Sequence, residues 1–515
     1  MSEKITNNGN KVLRVFSQYL IVGIIIVLIG FFLRIYFFPY DIPITLDGLL
    51  YFWFGMDVSN LGKIPAEYNF PNNFWPSLLG FIFSISNLEN FMELMNLQRV
   101  ISLLISVITF IPVYYILRKF FEQKYALTGL VLFAVEPRLI INSLGGLPEA
   151  LFVFLGSITL VLFLSNKMKL IYISFAICAI FSLVRYEGIL LLIPLSVTFL
   201  IRFRKDKKVI LRLLLALTIF ALTILPMTYL RMEVTGQDGI YSHTIGTDSH
   251  DGALDVVLSG NQDKINFDSG ILIFIKMVLW STFPIFFIFL PYGIFSFFKK
   301  DNKNLLMLFT VIMFLIPTLY ISIRGVSETK YLLILYPIFT LFSIFMIQKI
   351  NEKIKKKNIF LLIVVICAIL SSIIFLSYNI DNEHEREAVF ISNEVAKRTT
   401  VINDYHPESV YLRTVGFSEQ NNYTGNHQYF QPKMKILFTD KYETLQDFLE
   451  YAQKEKLEFL VVDNVGNRSD FILSIFENEE KYPFLEKGFD SNNLGFKYKV
   501  KIFKINYKLF NEINK

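Results

Sequence analysis

The sequence predicts a polytopic α-helical membrane protein of about eleven transmembrane helices followed by a C-terminal α/β domain, on three observations. Of its 515 residues, 53% are hydrophobic and 18% charged, with a mean hydropathy of +0.47, too apolar for a soluble globule of that size. Apolar runs of spanning or near-spanning length recur along residues 1–378, which therefore read as a membrane domain. After about Tyr378 the composition turns polar and stays so to Lys515, so residues 379–515 read as a soluble domain of ordinary size. The formal net charge of +6 does not point to nucleic acid, because the basic residues sit in short clusters between apolar runs and follow topology instead. Cys178 and Cys367 each lie inside an apolar run, which leaves neither a disulfide framework nor a cysteine metal site.

Taken in order, the apolar runs fall at about 19–38, 97–118, 124–136, 148–165, 170–184, 188–202, 209–230, 271–298, 304–323, 331–348 and 358–378. The first follows the polar start MSEKITNNGNKVLR and lacks a small-residue cleavage site, so a retained span is expected. Threading about eleven spans collects Lys11 and Arg14, Arg118, Lys119 and Lys124, and Lys167 and Lys169 on one side. The clusters around Arg202 to Lys208, Lys299 to Lys303 and Lys353 to Lys357 join them there, which makes that side cytoplasmic.

The opposite face is acidic and aromatic. Its long first loop sets Lys63 against Asp41, Asp47, Asp57, Glu67, Glu89 and Glu93, and the loop at 231–270 repeats the bias. Within the first loop NFWPSLLGFIFSI is apolar but too short to span, and suits a helix lying in the interface. In the tail, strand-like SVYLRTV, KMKILFT, EFLVVDN and YKVKIFKI alternate with helix-like EREAVFISNEVAKR, TLQDFLEYAQKEK and SDFILSIFENEEK. The span count places this α/β domain outside, where Asn422-Tyr423-Thr424 and Asn467-Arg468-Ser469 form glycosylation sequons.

Ionisable groups at span ends need a partner, water or a function. Asp47 sits in PITLDGLLYFWFG, where the structural alternative is an N-cap for a helix starting at Gly48. Arg185, Arg324 and Lys330 are expected at outer span ends with Arg138 close by; snorkelling, or ion pairs with Glu187, Glu328 and Glu136, are the alternatives. The loop HTIGTDSHDGALD gathers His243, Asp248, His250 and Asp251, a composition able to ligate a divalent cation. A solvated loop is the alternative, since its histidines lack the i, i+4 spacing of zinc helices. Trp53, Trp75 and Tyr68 suit either stacking on sugar rings or anchoring in the interface.

Four features stand in a fixed order: Asp47 after the first span, followed by Tyr51; SLGGLPEALFVFLG opening the fourth; VRYEGILLLIPL entering the sixth; and ETKYLLILYPIFTLFS at the tenth. With them the layout resembles the GT-C superfamily of membrane glycosyltransferases, and within it the dolichyl-phosphate-mannose protein mannosyltransferase and aminoarabinose transferase branch. The resemblance implies a GT-C-like fold in the cell membrane and transfer of a glycosyl group, of the hexosyl or mannosyl kind, from a polyprenyl-phosphate-linked sugar. The acceptor hydroxyl would belong to a protein, a lipid or a glycan. Asp47 would take the acceptor proton, and a cation among Arg185, Arg324, Lys330 and Arg138 would hold the leaving phosphate. Many relatives carry paired acids in the first loop; here Asp47 is followed by Gly48, which makes Glu149 the candidate for the second acid. The rival class is a transporter or flippase of lipid-linked saccharides, whose broken mid-membrane spans and internal symmetry are not evident.

Overall fold

The computed structural model of the protein describes residues 2–66, 72–240, 242, 267–298, 305–323, 327–405, 435–465 and 468–513. The order begins with α1 (Ser2–Tyr36), α2 (Leu46–Leu61), α3 (Phe74–Ile85), α4 (Phe91–Ile108), α5 (Phe110–Phe120), α6 (Gln123–Ala134) and α7 (Pro137–Leu144). It continues with α8 (Glu149–Phe163), α9 (Met168–Val184), α10 (Leu192–Arg202) and α11 (Val209–Thr235). Helices Phe267–Thr282, Leu290–Phe298, Leu305–Ile323, Tyr336–Lys353 and Lys357–Asn379 follow; the apolar runs read from the sequence fall largely on helix, but the run at 271–298 is broken by turns between Thr282 and Leu290. Among the described residues five helices are long and apolar enough to cross a membrane: Tyr19–Tyr36, Phe91–Phe120, Val209–Thr235, Thr329–Lys353 and Asn358–Ala396. The pair α6 and α7, bent by 47°, makes a sixth if taken as one span, and shorter apolar helices accompany them.

The chain is a multi-pass membrane protein, and its exposed surface agrees. On α11 the side chains of Leu211, Leu214, Leu222 and Leu225 are exposed, a density of bare leucine suited to lipid and unsuited to water.

The bend at α6–α7 has a local cause. Pro137 opens α7 without an N–H to continue the preceding ladder, and it forces Glu136 into extended backbone at φ −62°, ψ 116°. Elsewhere helices approach closely where a side chain is missing: a Cβ on Gly293 would strike the backbone of Phe342, so the two helices meet there only because residue 293 is glycine.

The chain divides into two compact units. The first comprises Met1–Phe38, Ile64–Leu79 and Gln98–Ile380. The second comprises Asp381–Lys515 together with Pro39–Lys63 and Gly80–Leu97, so most of the loop that follows the first span packs as part of the C-terminal unit. In that second unit the rings of Phe52, Trp53, Phe83 and Phe91 cluster, with Trp53 and Phe91 edge to face at 5.3 Å. Trp53, like Trp75 in the first unit, is wholly buried, so both are core rings and not open platforms for a sugar; Tyr68 lies outside the described residues.

The tail is an α/β arrangement. Strands β1 (Val401–Asn403) and β2 (Lys435–Leu437) pair in parallel, and β3 (Phe459–Asp463), β5 (Val500–Ile505) and β4 (Leu485–Asp490) form an antiparallel sheet in the order β3-β5-β4. Asn403 stitches the two sheets: its amide donates to Val461 O at 2.6 Å and accepts from Val461 N at 2.7 Å, in place of a ladder. At the carboxyl ends of these strands Arg468 grips Asp463 with two bonds of 2.9 Å and Asp404 with one of 2.8 Å. Helices Leu445–Lys454 and Asp470–Glu477 bury Phe448, Leu449 and Ile475 against Leu460, Val462 and Phe503. The strand-like SVYLRTV and the asparagines of both sequons, Asn422 and Asn467, lie outside the described residues.

A two-pronged ion pair ties the first-loop part of this unit to its tail, Arg386 Nε to Asp41 Oδ2 at 2.5 Å and Nη2 to Oδ1 at 3.0 Å. The Arg386 hydrogen bond holds the Asp41 carboxyl below its usual pKa. A carboxyl lowered by folding stabilises the fold above its ordinary pKa of about 4, and that contribution disappears as pH falls through the lowered value. Both side chains are more than half exposed, so the contribution is at most about 1 kcal/mol and screened by salt. Asp41→Asn is therefore expected to lose less thermal stability than the parent on acidification below about pH 4. Superimposable acid profiles of melting temperature would show that the pair contributes nothing.

Candidate functional site

The site is built on a short loop that leaves α7 and enters α8. At and beyond the end of α7 its carbonyls have no partner within the helix, so each requires a donor. Leu144 O accepts from Arg99 Nε at 3.0 Å and Leu147 O from Ser102 Oγ at 3.2 Å. Gly146 O accepts twice, from Trp75 Nε1 at 3.2 Å and Gln98 Nε2 at 2.9 Å. Gly146 lies at φ +67°, a left-handed conformation open to glycine at little cost. Pro148 follows, and Glu149 is the first residue of α8, so this clamp sets where the Glu149 carboxylate points.

Arg185 comes from a second break, between α9 and the 3-10 turn Tyr186–Leu191. There its backbone is extended, and Asn72 Oδ1 accepts the Tyr186 N–H at 3.1 Å. Its guanidinium bridges two acids, Nη1 to Glu149 Oε1 and Nε to Glu187 Oε1, each at 2.5 Å. Asn142 Nδ2 approaches Glu149 Oε2 at 3.4 Å. Relative exposures of 2% for Glu149, 5% for Arg185 and 3% for Glu187 put the triad in a low-dielectric setting, where two carboxylates against one guanidinium leave an excess negative charge. Glu187 Oε2 is buried without a hydrogen-bond partner among the described residues.

The Tyr331 ring links this triad to a second cation. It stands 4.4 Å from the Arg185 guanidinium and 5.5 Å from Lys330 Nζ, and Lys330 pairs with Glu328 at 2.5 Å. Three of the residues predicted from sequence are thus linked within one fold unit, Arg185 and Lys330 through the Tyr331 ring and Glu149 through its ion pair with Arg185.

Arg138 is placed in a different cluster. It donates to Phe283 O, lies 4.0 Å from Glu136 and stacks between Phe375 at 4.9 Å and Trp280 at 5.5 Å. Glu136 in turn caps α7 by accepting the Arg138 N–H, so the pair braces the helix bend. All three described cations therefore adopt the ion pairs that stood as the structural alternative to phosphate binding.

Asp47 lies in the first turn of α2 and belongs to the other unit. It is not a helix cap: α2 begins at Leu46 and its N-cap is Thr45, because the extended backbone that precedes the helix ends two residues earlier than the expected start at Gly48 implies. Arg324 and the metal candidates His243, Asp248, His250 and Asp251 lie outside the described residues. Among the described residues no three His, Cys, Asp or Glu side chains are grouped to hold a metal ion.

Sequence reasoning missed Asn142, Tyr331 and the clamp of Gln98, Arg99 and Ser102. The signal for the clamp was present in Gln98-Arg99, a polar pair opening an apolar run that needed buried acceptors. Gly146→Ala forces an L side chain into the left-handed region at a cost of about 1 kcal/mol and tilts the start of α8. Gly145 has ordinary helical angles, and an added methyl there meets the flexible end of Leu147 at 3.3 Å. The apparent melting temperature should fall more in Gly146→Ala than in Gly145→Ala; equal effects would mean that the turn at Gly146 is not what holds the loop.

Residues 81–229 match the family model described as Dolichyl-phosphate-mannose-protein mannosyltransferase. No curated protein matches by sequence. Among solved structures, ArnT from Cupriavidus metallidurans bound to undecaprenyl phosphate is similar with a TM-score of 0.56 and 11% identity, over 94% of this chain and 98% of that one. The Archaeoglobus fulgidus oligosaccharyltransferase in its apo form gives a TM-score of 0.56 at 13% identity, over 86% of this chain and 69% of that one. The same organism's oligosaccharyltransferase AglB, in complex with an inhibitory peptide and a dolichol-phosphate, gives 0.52 at 13%, over 87% and 69%. The chain has a GT-C-like fold and resembles the dolichyl-phosphate-mannose protein mannosyltransferase and aminoarabinose transferase branch of the GT-C superfamily.

Proposed function

We propose that the protein is a membrane glycosyltransferase that moves a sugar, of the hexosyl or mannosyl kind, from a polyprenyl-phosphate donor to an acceptor hydroxyl on a protein, lipid or glycan. The observation that carries this reading is the Arg185–Glu149 ion pair with Arg185 and Lys330 on the same Tyr331 ring, on the segments that also carry the family resemblance. The undecaprenyl phosphate and dolichol-phosphate named with two similar structures belong to those proteins, and they support a donor of that lipid class here.

In the reaction the acceptor oxygen forms a bond to the anomeric carbon as the bond from that carbon to the phosphate oxygen breaks. The electron pair leaves on the phosphate, and the acceptor proton passes to a carboxylate, which we assign to Asp47. The leaving phosphate gathers charge beside apolar side chains and calls for a cation. Lys330 is assigned that contact because it stands on the Tyr331 ring beside Arg185, and because Glu328, a carboxylate it pairs with, is more than half exposed and so holds it weakly. Arg185 is already shared by two buried acids, so its fork orients the site more than it neutralises the donor, with Glu149 as the acid that fixes it. Arg324 is a further candidate for the phosphate, and His243, Asp248, His250 and Asp251 are the candidates for a divalent cation. Arg138 is withdrawn from the phosphate set because its bonds commit it to the helix bend.

The soluble tail is assigned to the extracytoplasmic side. Cysteines introduced near Asp248 and Asn422 should react with an impermeant reagent from outside, and those near Lys207 and Lys355 should not. Labelling at 355 with protection at 422 would overturn the orientation.

The chemistry is tested with purified full-length protein and a radiolabelled polyprenyl-phosphate sugar. Asp47→Asn keeps size but not basicity, and turnover is expected to fall roughly a hundredfold with donor binding retained. Lys330→Gln is expected to weaken donor binding. Arg185→Lys keeps charge but loses the planar fork, so it should lower turnover more than donor affinity. Full turnover in Asp47→Asn would remove the base assignment, and unaltered donor affinity in Lys330→Gln would remove the phosphate contact.

A further inference from the structure

Arg34, in the last turn of α1, is completely buried, and its partners are all neutral. Nη1 donates to Gly30 O at 2.8 Å and Ala134 O at 3.0 Å, Nη2 donates to Ser106 Oγ at 3.0 Å, and the guanidinium lies 5.3 Å from the Phe110 ring. Its Nε has no hydrogen-bond partner among the described residues. A cation held only by neutral groups in apolar surroundings is expensive, which makes the destination of its field a functional question.

Ser106, to which Arg34 donates, also lines a cavity. Its other polar lining residues are Thr109, Asn142 and Glu149, and Val153 and Leu333 are among the apolar ones. Its volume of about 10 Å³ is room for a single water molecule. The wall chemistry suits one. Ser106 Oγ accepts from Arg34 and keeps its own proton to donate. Thr109 Oγ1 spends its proton on Ile105 O at 2.7 Å and keeps lone pairs to accept. Among the described residues Glu149 Oε2 has only the long 3.4 Å contact to Asn142, so it can accept another. A water here receives from Ser106 and donates to Glu149 and Thr109, three bonds, as is usual for internal water.

The geometry points to a single-water site in this cavity that links Arg34 and Ser106 to Glu149, and makes both of them positioning residues for the Glu149–Arg185 pair. The functional consequence rests on the glycosyltransferase reading; the water site does not. Fixing Oε2 from the Arg34 side leaves Oε1 presented to Arg185 in one orientation, which a carboxylate free to rotate would not give.

The test uses full-length protein in lipid nanodiscs. Ser106→Ala removes the donor to the water and spares the backbone, and it is expected to lower kcat about tenfold with the donor KM unchanged. Arg34→Gln should do the same, and Val153→Ile, which fills the cavity with one methyl group, should reproduce the loss without touching Arg34 or Ser106, so the question remains decidable if Arg34→Gln does not fold. In a Glu149→Gln background none of the three should add a further loss. Full activity in Ser106→Ala and Val153→Ile, or losses that multiply with that of Glu149→Gln, would overturn the positioning role. A density map at water-resolving resolution should show one water within hydrogen-bond distance of Ser106 Oγ and Glu149 Oε2. A dry cavity sinks the site whatever the activities, whereas a bound water with Glu149→Gln fully active supports the site and removes Glu149 from the reaction.

Discussion

A carbonyl that leaves a helix inside an apolar unit has no water to turn to, and supplying it with a donor is the constraint on which the membrane unit is organised. The loop from Leu144 to Leu147 receives four donors from Trp75, Gln98, Arg99 and Ser102. Ala134 O, at the end of α6, receives Arg34, and Phe283 O receives Arg138. The breaks in the helices are therefore the places where arginine, glutamine and tryptophan are drawn into the interior. Because charge is drawn there, the breaks are also where carboxylates follow.

This ordering explains why the buried ion pairs sit beside loops and not along helix faces. Taking a guanidinium and a carboxylate out of water costs several kcal/mol each, and their attraction repays it only with good geometry. Arg185 meets that condition with two short bonds on different edges of its fork. Arg138, 4.0 Å from Glu136, meets it less well and compensates through a carbonyl and two aromatic faces. Such pairs are poor sources of net stability, but they hold particular atoms in particular places, which a reacting centre needs.

The helices were legible in the sequence because an apolar run of sufficient length has few other destinations. The α/β character of the tail was legible from EFLVVDN and YKVKIFKI, which pair in the structure as β3 and β5. Strand β4 was not, since LEKGFD carries exposed charge and a register shift between Lys487 and Phe489, and so lacks the alternation that marks a half-buried strand. At the site, Glu149 and Arg185 were legible as residues and not as a pair, because 36 positions separate them and nothing local joins them. Trp53 and Trp75 misled for a physical reason: an aromatic ring that could greet a sugar at a surface is equally suited to fill a core, and both are wholly buried.

The grouping of Pro39–Lys63 and Gly80–Leu97 with Asp381–Lys515 has a consequence for biogenesis. A ribosome makes the first-loop segments well before their packing partner, with residues 98–380 of the chain between. At about 5–20 residues per second the early segments wait on the order of tens of seconds before the tail exists. During that interval Phe52, Trp53 and Phe91 have each other but not the remainder of their unit. A nascent chain that stalls before residues 381–515 are made holds one part of this unit without the other, so a segment translated late completes the packing of one translated early.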